Sequence, residues 1–246
     1  MAVACALAAG GLISSAQAND NPTESSNMTV SPPTSQTLTA RQQSIPLITA
    51  AAATGNLPQL DIALNRGLDA GLTLSEAKEI LVQLYAYAGF PRSLNALGEL
   101  MKVVEARRQQ GIEDAPGREP TRAVPVGDAL LAVGTANQTR ISGAPVKGPV
   151  MEFAPVINQY LQTHLFGDIF ERDNLDWQSR ELATVGALAA MPGVEAQLRS
   201  HMAASIRVGL SIAQLRQVVQ LLEDAGEAAA AGRAREALDQ HVAASR

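Results

Sequence analysis

The pairing of an acid and a histidine that looks like a site is Glu181 with His201, both within the stretch Arg172 to Leu210. A carboxylate beside an imidazole in a partly dry pocket can exchange a proton near neutral pH. Leu182, Val185 and Ala189 recur at helical spacing after Glu181, and Leu198, Met202 and Ile206 do the same around His201. Each residue therefore lies on or beside the apolar stripe of a helix. Met191-Pro192-Gly193 breaks the chain between the two helices. They are expected to pack antiparallel and bring their stripes together. The competing reading is structural, with His201 a core histidine and Glu181 a first-turn helix charge; a spaced Glu and His is a weak pattern by itself.

Other residues suit the surroundings of such a pair. Arg180 and Arg199 flank it in sequence, and either suits bidentate contact with a carboxylate; each also reads as a surface arginine. Tyr85, Tyr87, Phe90 and Asn95 could form a substrate-facing wall. Tyr85 and Tyr87 are two residues apart on a helix, so only one of them can line a given pocket. His164 follows Leu161 by three residues and is a second candidate, with packing against Phe166 to Phe170 as its alternative. His241 falls in an Ala-rich C-terminal helix and is expected to be solvated. The three histidines sit on separate helices without ligand spacing, so no metal is expected. No Gly-rich loop joins a strand to a helix, and no nucleotide or other cofactor is expected.

The composition favours helices that pack through small residues. Of 246 residues 46 % are hydrophobic but 3 % aromatic, so the core is built from Ala, Leu, Val and Ile. The net charge of −5 and the absence of a basic run argue against nucleic acid as a partner. Residues 1–18, MAVACALAAGGLISSAQA, are small or apolar and end in Ala-Gln-Ala, the pattern of a cleaved signal peptide. The apolar run is too short and too broken by Gly and Ser for a stable membrane span. A periplasmic or secreted protein is expected. Cys5 is the sole cysteine and lies in that leader, so the mature chain would carry no thiol. Residues 19–37, rich in Ser, Thr, Asn and Pro, read as a disordered tether.

The remainder reads as two copies of one helical unit, 38–110 and 155–246, joined by a linker over 111–154. Thr39 is placed to cap a first helix, with Pro46 kinking it or delaying its start. Thr73-Leu-Ser-Glu76 and Ser211-Ile-Ala-Gln214 are matching capping boxes. Leu38-Thr39 aligns with Leu175-Asp176, Ile45 with Leu182, Ala52 with Ala189, Leu60 with Leu198, and Gly71-Leu72 with Gly209-Leu210. The fold class is all-α, two fused repeats forming a pseudo-two-fold pair. Gly89-Phe90-Pro91 is expected to stop the helix that Thr73 caps. In the linker the periodicity fades, leaving one short helix near Asp128 to Val133 and a long loop that covers a surface or lines a site.

Three stretches resemble the carboxymuconolactone decarboxylase family, whose fold is shared with AhpD-type alkylhydroperoxidases. They are Asp69 to Leu97, with Tyr87-Ala-Gly-Phe-Pro-Arg-Ser-Leu-Asn95; His164 to Asp173; and Arg180-Glu-Leu-Ala183 through Gln197-Leu-Arg-Ser-His201 to Leu210. The resemblance implies an AhpD-like helical fold and assigns the family's acid and histidine to Glu181 and His201. AhpD-type members also use a C-x-x-C pair, which has no counterpart between Met191 and Gln197. Peroxide reduction by thiols is therefore not expected, and the chain looks closer to the lactone-decarboxylase branch. In repeat one Ser44 and Ala63 stand where repeat two has Glu181 and His201; repeat two has Asp224-Ala-Gly-Glu227 in place of Tyr-Ala-Gly-Phe-Pro. The expectation is one composite site per chain, with the pair from repeat two and the wall from repeat one. Such a site would act without a cofactor on a small lactone or carbonyl acid, in a homo-oligomer, a trimer of two-repeat chains. The rival reading is a ligand-binding or assembly protein that keeps the fold without turnover.

Overall fold

Side-chain caps set the frame of the molecule. In the computed structural model, which describes residues 36–244, Thr39 accepts the Gln42 backbone N–H and the Gln42 side chain accepts the Thr39 N–H, opening α1 (Ala40–Thr54). Pro46 lies inside α1 without delaying its start. Asn56 caps α2 (Leu57–Asp69). Thr73 and Glu76 form the box that opens α3 (Leu74–Gln109). Asp176 caps α7 (Trp177–Ala190), and Ser211 with Gln214 opens α9 (Ile212–Asp224). Between these run α4 (Asp128–Ser142), α5 (Pro149–Phe153), α6 (Pro155–Tyr160) and α8 (Glu195–Arg207), and α10 (Ala228–Ala244) closes the chain. The described residues contain no strand, as an all-α fold requires. No helix among them is long and apolar enough to cross a membrane. The leader, and the tether up to residue 35, lie outside the described residues.

The two repeats keep the expected register. Gly71 and Gly209 end their helices with φ of 88° and 103°. Each is followed by a leucine whose N–H returns to the carbonyl five residues back, Gly67 for Leu72 and Ser205 for Leu210. Gly89 breaks α3 with φ 81°, ψ 161°, where Tyr-Ala-Gly-Phe-Pro was expected to stop the helix. Gly226, at φ 83°, makes the corresponding bend between α9 and α10.

The repeats meet where α1 crosses α7. A Cβ on Gly186 would stand 2.4 Å from the Pro46 carbonyl oxygen and 2.5 Å from Thr49 Oγ1. Thr49 and Gly186 each follow the aligned Ile45 and Leu182 by four residues, so the pseudo-two-fold axis passes through this crossing. Gly186→Ala places a methyl against backbone that cannot turn aside. The expected cost is about 1–3 kcal/mol of stability, read as a lower urea midpoint at unchanged slope.

Around the crossing lies the main core, in which Ile45, Leu60, Leu64, Ile80, Leu182, Leu198, Met202, Leu215 and Val218 are wholly buried. A smaller cluster of Ile141, Leu165, Phe166, Ile169, Phe170 and Ala204 ties the linker to the second repeat.

The linker is more ordered than its sequence suggests. The helix expected over Asp128 to Val133 runs on to Ser142, and α5 follows it. The periodicity fades because polar residues and glycine carry the packed face of α4. Asn137 donates to the Phe166 carbonyl at 2.9 Å and to Glu171 at 2.8 Å, and Gln138 donates to Asn158. At Gly134 a Cβ would stand 1.7 Å from the Gln162 carbonyl oxygen. The segment it packs on is a further departure from expectation: Leu161–Ile169 is a π-helix, a rare, widened form of helix. The start of the linker folds back on α3, where Leu74 and Ser75 donate to the Ala115 and Pro116 carbonyls.

Candidate functional site

α7 is the most enclosed helix of the bundle, buried from Ser179 to Ala190. Its small residues (Ala183, Gly186, Ala187) let neighbouring helices close on every side, which takes Glu181 out of water as well. The Glu181 side chain is 0 % exposed, and its Oε2 lies 2.8 Å from His201 Nδ1 on α8. The His201 side chain keeps 15 % exposure. The pair thus has one member sealed in the bundle and one at its edge. A Glu181 carboxylate accepts Nδ1–H, which fixes the tautomer and leaves Nε2 as a proton acceptor.

Repeat one contributes Tyr87. Its ring stands edge-on to His201, centroids 5.6 Å apart at 81°. Neither the Tyr87 hydroxyl nor Glu181 Oε1 has a hydrogen-bond partner among the described residues. The Thr184 hydroxyl beside them donates to the Arg180 carbonyl and accepts from Gln83. Burial first, and then the Glu181 charge, push the Tyr87 phenol well above its ordinary range. The folded chain therefore keeps this proton where the unfolded chain releases it, above an ordinary tyrosine value of about 10. Stability that the protonated phenol contributes is fully present below that value and is lost as pH rises from it through the higher folded value. Alkaline titration followed by tyrosinate absorbance should show one tyrosine ionising only with unfolding, and Tyr87→Phe should remove that delayed step.

Arg180 does not face the open side of the pair. Its side chain is 0 % exposed and its guanidinium is engaged by Glu79 Oε1 at 3.0 Å, Gln83 Oε1 at 3.0 Å and the Arg172 carbonyl at 2.7 Å. Glu79, itself buried, also accepts from Arg172 Nε and Asn174. The group ties α3 of repeat one to α7 and its approach, a polar strut between repeats. Burial lowers the Arg180 pKa while Glu79 opposes the shift. As placed, Arg180 cannot reach a substrate carboxylate.

The remaining candidates divide by position. Arg199 is exposed on α8, within the field of Glu195. His164 is not packed in the core; it is 48 % exposed and binds Asp168 at 2.7 Å across one turn of the π-helix. Tyr85 turns away from Tyr87 and stacks on Phe90 at 4.4 Å, with His164 tilted beside it at 5.4 Å. Asn95 is exposed beyond the Gly89 break. The expected wall thus splits: Tyr87 joins Glu181 and His201, and Tyr85, Phe90 and His164 form a separate aromatic surface group.

His201 opens on a cleft of about 330 Å³ lined by Ile141, Ser142, Val146, Phe166, Ser200, Ala203, Ala204 and Arg207. Ile141 and Ser142 at the end of α4, and Val146 after it, form one side of this cleft. Arg207 is the residue that sequence reasoning passed over. The available signal was its spacing: Ser200, Ala203, Ala204 and Arg207 recur along one face of α8 beside His201.

An all-helical protein of two fused repeats, with a buried carboxylate orienting an edge histidine, is the class that fold and site define. A family model described as the carboxymuconolactone decarboxylase family matches residues 27–101 and 155–240, and the chain belongs to that family. The two matches fall on the two repeats, the second reaching from α6 into α10. A search of curated proteins returned no match.

Proposed function

We propose that this chain is a carboxymuconolactone decarboxylase-like enzyme that uses Glu181 and His201 in acid-base chemistry on a small lactone or carbonyl acid. The observation that carries the reading is the 2.8 Å contact between a fully buried Glu181 and the edge residue His201, whose ring borders a cleft. In this mechanism His201 Nε2 takes a proton from substrate, or returns one to the carbon that loses carboxylate. Glu181 holds the ring in the productive tautomer and stabilises the imidazolium as it forms. Tyr87 closes the inner side against water. Thiol peroxidase chemistry has no part in it, since no cysteine lies between Met191 and Gln197. We place the active form outside the cytoplasm, as a homo-oligomer of two-repeat chains.

The test is product formation by the chain from Asn19 onward against lactone acids and β-keto acids, with Glu181→Gln and His201→Ala beside it. Turnover abolished in both variants, at unchanged helicity, supports the reading. Equal turnover in all three contradicts it. Saturable binding without turnover on any substrate would instead favour a ligand-binding protein.

A further inference from the structure

We infer that Arg207 is the specificity-determining cation of the His201 cleft, and that the cleft takes a small organic acid whose carboxylate binds at Arg207. This rests on the reading of Glu181 and His201 as the reactive pair and names what that pair acts on.

Three observations carry it. First, the cleft is mostly apolar, lined by Ile141, Val146, Phe166, Ala203 and Ala204, and Arg207 is the charged side chain among its lining residues apart from His201. Second, Arg207 is exposed on α8, with one hydrogen bond to anchor it and its other donors open. Its Nη1 donates to the Ile141 carbonyl at 3.3 Å, near the C-terminus of α4. A Cβ on Gly143 would stand 2.6 Å from Arg207 Nε, so glycine there makes room for the guanidinium. Among the described residues no carboxylate pairs with it, whereas both Nη atoms of Arg180 are taken, by Gln83, Glu79 and the Arg172 carbonyl. A guanidinium has five N–H donors in a fork that suits a carboxylate. Third, the spacing fits one small molecule. His201 and Arg207 are six residues apart on α8, about 9 Å along the axis, and an arginine on a helix leans toward the N-terminus, which shortens the gap. A ring or short chain with its carboxylate on Arg207 sets its far end against His201 Nε2, with its apolar body on Phe166 and Ile141.

The test is ligand binding to the full chain, followed by the His201 imidazole resonances in nitrogen-15 NMR. The probes are levulinate and benzoate, each beside its methyl ester. The wild type should bind the acids about tenfold or more tighter than the esters. R207Q should erase that preference, R207K should retain part of it, and R199Q should keep it whole. Circular dichroism confirms that each variant is folded. An intact acid preference in R207Q overturns the inference, and so does equal binding of acid and ester, or no saturable shift of His201 with either acid in the wild type. The reading of Glu181 and His201 fails separately, by turnover that survives E181Q, and such a failure leaves the charge preference standing.

Discussion

Glu181→Gln is expected to lower turnover by about 10²–10⁴-fold, the usual contribution of a general acid-base group, with no loss of helicity. The amide fills the same buried space, so α7 and α8 keep their packing. The proton inventory changes. A carboxylate accepts Nδ1–H from His201; a carboxamide can donate to Nδ1 and so stabilises the opposite tautomer. His201 Nε2, the nitrogen available to the cleft, then carries a hydrogen and no longer accepts one. His201→Ala should cost a similar factor, and the double variant should be no worse than either single one, because the two residues act as a unit. Steady-state kinetics of the three variants check this; additive losses would mean that the residues act independently.

Arg180→Ala is the substitution expected to destabilise the fold most. It removes a buried guanidinium from Glu79, which is itself 2 % exposed and keeps Arg172 as its remaining ionic partner. Removing one partner of a buried ion pair costs about 3–5 kcal/mol, because the other charge stays buried and under-compensated. Removing both partners for apolar residues of similar volume is far milder. Urea unfolding should therefore rank Glu79→Leu/Arg180→Met above Arg180→Ala in stability. A loss below about 1 kcal/mol for Arg180→Ala would mean that the strut between repeats contributes little.

Much of this arrangement is legible in the sequence because it is local. Thr73 and Ser211 announce their helices through the residue three positions on and Thr39 as a cap alone; the structure closes the two expected boxes and adds a third at Thr39 with Gln42. The repeat register follows from those caps and the two post-helical glycines. Glu181 and His201 are legible as a pair because a short break joins their helices and forces the stripes together. What is not legible depends on tertiary closure. Arg180 and Glu181 are neighbours that read alike as polar residues at a stripe edge, yet α7 is enclosed on all sides, so one becomes a strut and the other binds the His201 ring. The stripe of Leu182, Val185 and Ala189 marks α7 as a helix but does not reveal that its other faces are buried too. The course of α4 is hidden for the converse reason: its contacts with the π-helix run through Gly134, Asn137 and Gln138, residues that sequence patterns assign to loops. Arg207 is hidden because its role depends on that helix ending beside α8.

In the proposed mechanism Glu181 presents His201 Nε2 to the cleft as a proton acceptor. Long-range proton–nitrogen NMR on histidine-labelled protein reads the tautomer directly, with no substrate needed. Neutral His201 should carry its hydrogen on Nδ1 in the wild type and on Nε2 in Glu181→Gln. A wild-type His201 with its hydrogen on Nε2, or a tautomer indifferent to Glu181→Gln, would contradict it.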